Sequence, residues 1–70
     1  MYLENIKQII KERREVLNIT QNSLAELSGV SLRTIKEIEG SKGNPTIETI
    51  EKIADVLGME ITLQVKQPKH

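Results

Sequence analysis

The chain has 70 residues, and its ten basic and ten acidic side chains give a formal net charge of zero. A chain of this length forms one small domain, and a neutral charge argues against a general nucleic-acid binder, which would be basic. The sequence has no cysteine, no apolar run of membrane-spanning length and no signal-peptide pattern, so we expect a cytoplasmic protein without disulfides or thiolate metal sites.

The first predicted element is an amphipathic helix within LENIKQIIKERREVLN. Apolar residues recur there at helical spacing and predict its buried face: Leu3, Ile6, Ile9, Ile10, Val16 and Leu17. Charged side chains, Lys7 and Glu15 among them, occupy the other sides. We expect Asn18 to end this helix, because asparagine tolerates a positive φ better than most residues do.

Two short helices are predicted next, joined by a glycine turn. Thr20 and Ser31 are good N-caps for helices that run to about Ser28 and to Gly40. Gly29 lies where the first of them must stop, because glycine adopts the left-handed C-cap conformation at no steric cost.

Residues 21–40, QNSLAELSGVSLRTIKEIEG, therefore have the layout of a helix-turn-helix, whose second helix enters a DNA major groove. Apolar side chains bury one face of each helix and fix their crossing: Leu24, Ala25, Val30, Ile35 and Ile38. A plain helical hairpin needs the same apolar spacing and the same turn, and it is the alternative interpretation.

A loop and a fourth helix are predicted after Gly40. The loop is SKGNP, residues 41–45, which holds two turn formers. Thr46 caps the helix, Glu48 lies in its first turn, where the dipole favours an acid, and Gly58 closes it. Its predicted buried stripe is Ile47, Ile50, Ile53, Ala54 and Leu57.

The C-terminal segment, residues 59–67, changes to a period of two that predicts a β-strand. Apolar and polar side chains alternate along it: Ile61, Leu63 and Val65 on one face, and Glu60, Thr62 and Gln64 on the other. No other part of the sequence is strand-like, so the backbone needs a partner from outside. The same strand of a second copy is the simplest one; a frayed tail or an arm on its own helices is the alternative. We expect residues 68–70 to be disordered.

These helices resemble the phage-repressor-like helix-turn-helix family of the Cro/C1 or XRE type. The matching motifs are Thr20-Gln21, LAELSGVS, TIKEIEG and NPTIETIEKIADVLG. The resemblance covers about residues 4–58 and implies an all-α, four-helix, repressor-like DNA-binding domain over residues 1–58. Such a resemblance says much less about the operator or the pathway.

The resemblance also implies a set of DNA-binding residues: Gln21, Leu32, Arg33, Thr34, Lys36, Glu37, Lys42 and Asn44. Gln21 resembles the glutamine that anchors the DNA backbone at the start of the second helix. Arg33 is the best candidate base reader, because its planar fork can bond guanine O6 and N7 together. Glu37 could accept from a cytosine amine or pair with Arg33. A solvated helix face is the alternative for each exposed charge.

Arg14 and Glu39 have an expected structural role. In this family an arginine late in the first helix pairs with a glutamate at the end of the third, and Arg14 and Glu39 stand at the matching places. A bidentate pair would fix the recognition helix on the scaffold.

The C-terminus departs from the family pattern, since many members end in a short fifth helix. A strand there resembles the antitoxin branch of the family, in which C-terminal strands of two subunits form a small sheet between them. HipB-like antitoxins are the nearest analogue. The dimerisation residues that this resemblance implies here are Ile61, Leu63 and Val65. We therefore expect a homodimeric repressor that reads a palindromic operator through residues 31–40. The alternative is an antitoxin that acts mainly by binding a toxin protein. The two functions are compatible, since an antitoxin can also repress its own gene.

An enzyme is not expected from this sequence. It has no internal histidine, no glycine-rich phosphate loop and no metal-ligand cluster. We accordingly predict neither catalytic residues nor a cofactor nor a bound metal ion.

Overall fold

The computed structural model describes the backbone of residues 2–63, 65 and 66, and the side chains of residues 5–63, 65 and 66. Its helices are α1 (Tyr2–Val16), α2 (Gln21–Ser28), α3 (Leu32–Glu39) and α4 (Ile47–Val56). This order confirms the predicted all-α domain with a helix-turn-helix. In space α3 packs against both α1 and α2, and α4 packs against α2.

The three shorter helices begin at the hydroxyl N-caps that the sequence predicts. Each cap oxygen accepts a hydrogen bond from the backbone N–H three residues on: Ser23 to Thr20 at 3.0 Å, Thr34 to Ser31 at 3.1 Å, and Thr49 to Thr46 at 3.1 Å. Every cap satisfies one of the N–H groups that a helix start leaves free. The starting residue of α2, α3 and α4 is thus fixed locally.

The helix ends share a second device, a residue in the left-handed region. Gly29 has φ 75° after α2, and its N–H donates to Ala25 O at 3.0 Å. The other three helices end in Schellman motifs, with Asn18 (φ 59°), Ser41 (φ 61°) and Gly58 (φ 72°) at the left-handed position. The predicted roles of Asn18, Gly29 and Gly58 are confirmed. The left-handed residue after α3 is Ser41 and not a glycine.

The core lies where the helices meet, and each of them contributes to it. Leu24, Ile35, Ile53 and Leu57 are fully buried, one from each of α2, α3 and α4 and one from the C-cap of α4. Five more apolar residues complete the buried set: Ile10, Val30, Ile38, Ile50 and Ala54. Burial of one such aliphatic side chain contributes about 1.5–3 kcal/mol.

Several predicted core residues are instead exposed: Ile9, Val16, Leu17 and Ile47. Val16 is the last residue of α1 and Ile47 is the first of α4, so both lie beyond the region where neighbouring helices cover them. Periodicity shows which face of a helix is apolar, but it does not show where the packing partner ends. Leu3, also predicted to be buried, lies outside the residues whose side chains are described.

The C-terminal segment follows Gly58, whose turn is closed by a 2.8 Å hydrogen bond from Met59 N to Ala54 O. Within its described residues, 59–63, 65 and 66, no strand is assigned. A strand is defined by its hydrogen-bonded partner strand, and no such ladder joins residues 60–63, 65 and 66 to another described part of the chain. The strand and its pairing stay predictions.

Candidate nucleic-acid interface

Helix α3 turns one side to the core and the other to solvent. Ile35, Ile38 and Glu39 are its buried residues. The outer side forms one open surface, the α3 face, lined by Leu32, Arg33, Lys36, Glu37, Gly40 and Lys42. Five of the eight predicted DNA-binding residues are therefore neighbours on a single face.

The remaining three predicted residues lie beside this face. Thr34 and Asn44 line an adjoining shallow groove together with Glu37 and Lys42. Gln21 lies on the other flank, in a depression shared with Lys11, Arg14, Lys36 and Glu39. The predicted set thus forms a band that crosses α3, the loop after it and the start of α2.

Two arginine–glutamate pairs in this region differ in burial. Arg33 Nε lies 3.3 Å from Glu37 Oε2, with side chains 88% and 41% exposed, whereas Arg14 and Glu39 are only 13% and 5% exposed. An exposed pair spaced i,i+4 contributes about 0.3–0.5 kcal/mol. A base or phosphate can therefore replace Glu37 as the partner of Arg33 at little cost.

Glu39 binds two other helices to α3. Its Oε2 accepts from Arg14 Nε at 2.8 Å, and its Oε1 accepts from Arg14 Nη2 at 2.9 Å and from Gln21 Nε2 at 3.0 Å. Arg14 Nη1 also donates to Ile19 O at 2.9 Å. The hydrogen bonds to Glu39 raise the pKa of Arg14 above its ordinary value, against the opposing effect of burial. The guanidinium therefore stays charged at neutral pH, because arginine is effectively always protonated in proteins.

The contact to Glu39 fixes the orientation of the Gln21 amide. A carboxylate oxygen only accepts hydrogen bonds, so the amide nitrogen of Gln21 must face it. One hydrogen of that nitrogen is used, and the second remains for another acceptor such as a phosphate. The family resemblance predicts only a DNA contact for Gln21, and its hydrogen bond to Glu39 is an additional structural contact.

Basic side chains predominate on one surface of this neutral chain and acidic side chains on another. The α3 face and its flanks carry Arg33, Lys36, Lys42 and Lys11, beside the partly exposed Glu37 and the buried Glu39 with its partner Arg14. Another surface, on α4 and the residues after it, is lined by the acids Glu48, Glu51, Asp55 and Glu60 with a single base, Lys52. Such separation gives a local positive potential where the whole-chain charge gives none.

Arg13 has a role that sequence reasoning missed. Its Nε donates to Leu57 O at 2.8 Å, although 44 residues separate the two. A cation at the C-terminus of α4 satisfies a free carbonyl and complements the helix dipole. Neighbouring Arg14 reaches α3, so two adjacent arginines of α1 hold two different helices. No local pattern signals such a long-range contact.

Two further findings concern the part of the chain that the structure describes. It contains no helix long and apolar enough to cross a membrane. Among the same residues, no three histidine, aspartate or glutamate side chains are grouped so that they could hold a metal ion.

Comparison with known proteins shows which family this chain matches. The family model described as helix-turn-helix matches residues 10–64 of this chain. The matched range runs from the middle of α1 through α2, α3 and α4 into the C-terminal segment. It therefore includes all of the residues proposed above to contact DNA.

Curated relatives include two phage repressors. The chain is 39% identical over 56 residues to the transcriptional repressor RstR of the cryptic phage CTXphi from Vibrio cholerae, which covers 80% of this chain and 50% of RstR. It is 36% identical over 59 residues to the immunity repressor of Bacillus phage phi105, which covers 84% of this chain and 38% of that repressor. The chain thus spans half or less of the length of these two proteins.

A third relative is similar over most of both chains. It is an uncharacterized helix-turn-helix-type transcriptional regulator of Methanothermobacter thermautotrophicus, 36% identical over 55 residues, with 79% of this chain and 80% of the relative covered.

Proposed function

The chain belongs to the phage-repressor-like helix-turn-helix family of the Cro/C1, XRE type, and on this basis we propose that it is a DNA-binding transcriptional repressor. In this proposal residues 1–58 bind DNA, residues 59–67 hold two copies together, and the homodimer reads a palindromic operator. One observation carries most of the argument. Arg33 and Lys36 on the outer face of α3 are exposed to solvent, while Glu39, the last residue of α3, is hydrogen-bonded to Arg14 of α1 and Gln21 of α2.

A rigidly held, exposed helix suits direct readout, which needs side chains held in a fixed position against base edges. Arg33 is the proposed base reader, since its fork matches guanine O6 and N7. In the free protein the guanidinium of Arg33 is paired with Glu37, and on DNA binding it leaves Glu37 and bonds the guanine. Glu37 then accepts from a cytosine amine, and Leu32 contacts a thymine methyl.

The neighbouring polar groups are proposed to position the protein on the DNA backbone. Lys36, Lys42, Thr34 and Asn44 surround the α3 face, where cations and hydroxyl or amide donors can bind phosphate oxygens. Gln21 contributes its second amide hydrogen at the N-terminus of α2, where free backbone N–H groups also attract an anion.

The net charge supports homodimerisation. With a net charge of zero, a monomer that contacts a few phosphates gains little from counterion release and binds weakly. Two copies related by a two-fold axis would place both α3 helices in successive major grooves, about 34 Å apart. The names of the two phage relatives, a transcriptional repressor and an immunity repressor, support repression as the outcome.

The proposal is tested with Arg33→Ala against operator DNA selected from a random library by the purified protein. Loss of a bidentate base contact should reduce discrimination between operator and random DNA by about 1–3 kcal/mol. Lys52→Ala is the matched control, because Lys52 is an exposed cation on the acidic α4 surface. Both variants are titrated by fluorescence anisotropy. Unchanged discrimination by Arg33→Ala would remove Arg33 as the reader.

An antitoxin is the second candidate, favoured by the exposed apolar side chains of Leu63 and Val65. These could bind a toxin protein in place of a second copy of the chain. Since antitoxins of this branch also dimerise, the separating measurement is binding of the purified chain to the product of an adjacent kinase or nuclease gene. A stable complex supports the antitoxin, and operator binding without such a complex supports the repressor.

A further inference from the structure

We propose that the two C-terminal segments of the dimer pair in one specific register, centred on Leu63. We further infer that the partner's Val65 then packs at an apolar groove between α1 and α4. The inference rests on the homodimer proposed above and adds to it the register and the surface that receives the partner.

The groove, called the α1–α4 groove below, has walls that are almost entirely aliphatic. It is lined by Ile6, Ile9, Ile10, Ile50, Ala54 and Met59, with Glu60 and Ile61 at its rim. Its volume is about 140 Å³, well below the roughly 300–1,000 Å³ of typical small-molecule sites. A space of this size suits an aliphatic side chain from a protein partner.

The residues beside the groove extend its apolar surface. Leu63 and Val65 are 97% and 91% exposed, although Ile61, two residues before Leu63, already lines the groove. Ile9, on the wall of the groove, is half-exposed as well. Single exposed aliphatic residues are common, but several that line an apolar groove or directly follow it in the chain indicate an interaction surface.

Charge and apolar pattern together identify a second copy as the occupant. In an antiparallel pair across a two-fold axis, residues that lie opposite each other are equally distant in sequence from the central residue. With Leu63 at the centre, Ile61 faces the partner's Val65, and Glu60 faces the partner's Lys66. The apolar side chains then share one face, and the opposite charges meet on the other.

Neighbouring registers lose the pairing of opposite charges. If the centre moves to position 62, Lys66 lies opposite the turn residue Gly58 of the partner. If it moves to position 64, Lys66 lies opposite the partner's Thr62. The apolar face keeps apolar pairs in both, Ile61 with the partner's Leu63 or Leu63 with the partner's Val65. Of these three registers, the one centred on Leu63 is thus the one that combines apolar pairs with paired opposite charges.

The same register brings the partner's Val65 to the groove. Side chains directly opposite on one face have their Cβ atoms about 4.5–5.5 Å apart, and Ile61 lines the groove. The partner's Val65 is therefore next to the groove, which the half-exposed Ile9 also lines. The two-fold axis repeats the contact on the other subunit, so the dimer contains two such seats.

Single cysteines test the register, because the wild-type chain has none. Leu63→Cys places the two new cysteines opposite each other at the two-fold axis. Their Cα atoms then lie within the 4.4–6.8 Å that a disulfide requires, so mild oxidation should give a covalent dimer on a non-reducing gel. In Ile61→Cys the two cysteines are offset by four residues along the strands, about 13 Å, and should not cross-link. The double variant Ile61→Cys with Val65→Cys should cross-link again.

The outcome separates this inference from the proposed function. A non-covalent dimer by light scattering in which Ile61→Cys cross-links better than Leu63→Cys would overturn the register and leave the repressor intact. A protein that is monomeric in every variant, at concentrations where it binds operator DNA, would overturn the register and the homodimer, whereas a dimer that binds no operator DNA would overturn the proposed function alone.

The groove and the charges are tested by sedimentation equilibrium. Ile9→Lys should weaken dimerisation at least about tenfold, whereas Leu27→Lys, at an exposed leucine of α2 outside the groove, should not. Circular dichroism checks that both remain folded. Equal dimer strength in the two variants would exclude the groove as the seat.

The charge pair is tested by a swap. Glu60→Lys and Lys66→Glu each place like charges opposite each other twice per dimer and should weaken it by about two- to tenfold. The double variant should restore wild-type dimerisation. Weakening in the double variant that equals the sum of the two singles would contradict the pairing of Glu60 with Lys66.

Discussion

The helix-turn-helix unit, residues 20–40, and the C-terminal segment differ in where their groups find partners. In the first, both helix starts are capped, Leu24 and Ile35 are fully buried, and the buried acid Glu39 accepts three hydrogen bonds. In the described residues of the second, Leu63 and Val65 are exposed and no strand is assigned. The capping, apolar and charged groups named for the first region find their partners within one chain. The apolar side chains of the second are exposed, and a partner from outside the chain would have to cover them.

We expect the largest effect on stability from a substitution of Glu39, in the helix-turn-helix unit. Glu39→Ala leaves the part-buried guanidinium of Arg14 without its carboxylate partner, and loss of one member of a fully buried pair costs about 3–5 kcal/mol, which is the upper limit here. Urea denaturation measures this loss. Glu37→Ala is the control, because it breaks the exposed pair with Arg33 and should cost less than about 0.5 kcal/mol. Equal losses in the two variants would mean that Glu39 does not hold α3.

The C-terminal segment should respond in the opposite way, with a loss of assembly and no loss of fold. Leu63→Glu combined with Val65→Glu alters two exposed side chains, so the free energy of unfolding of the monomer should change by less than about 0.5 kcal/mol. The dimer should dissociate, and operator affinity should fall by about a hundredfold or more, because the second half-site is no longer bound intramolecularly.

Anisotropy titrations and light scattering measure the two effects, with Leu27→Glu as the control for adding charge at an exposed leucine. Undiminished operator affinity in a monomeric double variant would show that the two regions are functionally independent.

Arg13 lies outside both regions and holds the C-terminus of α4 on α1, just before the C-terminal segment begins. Arg13→Ala removes the donor to Leu57 O, and a hydrogen bond that involves a charged group is worth about 1.5–3 kcal/mol. Arg13→Lys keeps the charge and should recover part of this loss. Thermal unfolding of the two variants measures it. A stability of Arg13→Ala equal to wild type would assign the capping of α4 to Gly58 alone.

The caps and turns could be predicted because their determinants are local. Thr20, Ser31 and Thr46 each bond to a residue three positions away, and Gly29 closes its own turn. Contacts across the fold could not be predicted from spacing. The bond from Arg13 to Leu57 spans 44 residues.

The pairing of Arg14 with Glu39 came from a family resemblance. The bond from Gln21 to the same carboxylate was not foreseen, because a side chain expected at the surface was assigned to DNA alone. The exposed positions of Val16 and Ile47 were missed for a different reason, since both lie at helix ends. In each case the missing information was the position of another element, which no residue pattern within the helix contains.

The smallest expected effect concerns Ser41, which ends α3 in the left-handed region with φ 61°. A non-glycine residue there is strained by about 1–2 kcal/mol, and glycine relieves the strain while losing more entropy on folding. Ser41→Gly should therefore stabilise the fold by a net amount of about 0.5–1 kcal/mol.

Asn18→Gly is the matched variant, because Asn18 closes the same Schellman motif after α1 at φ 59°. Asparagine tolerates the left-handed region, so this change should gain less. Chemical denaturation of both variants gives the comparison, and a larger gain at Asn18 than at Ser41 would contradict it. Since Ser41 keeps its backbone N–H on Ile38 O in either form, operator affinity should not change. A change in affinity without a gain in stability would instead place Ser41 in the DNA contact.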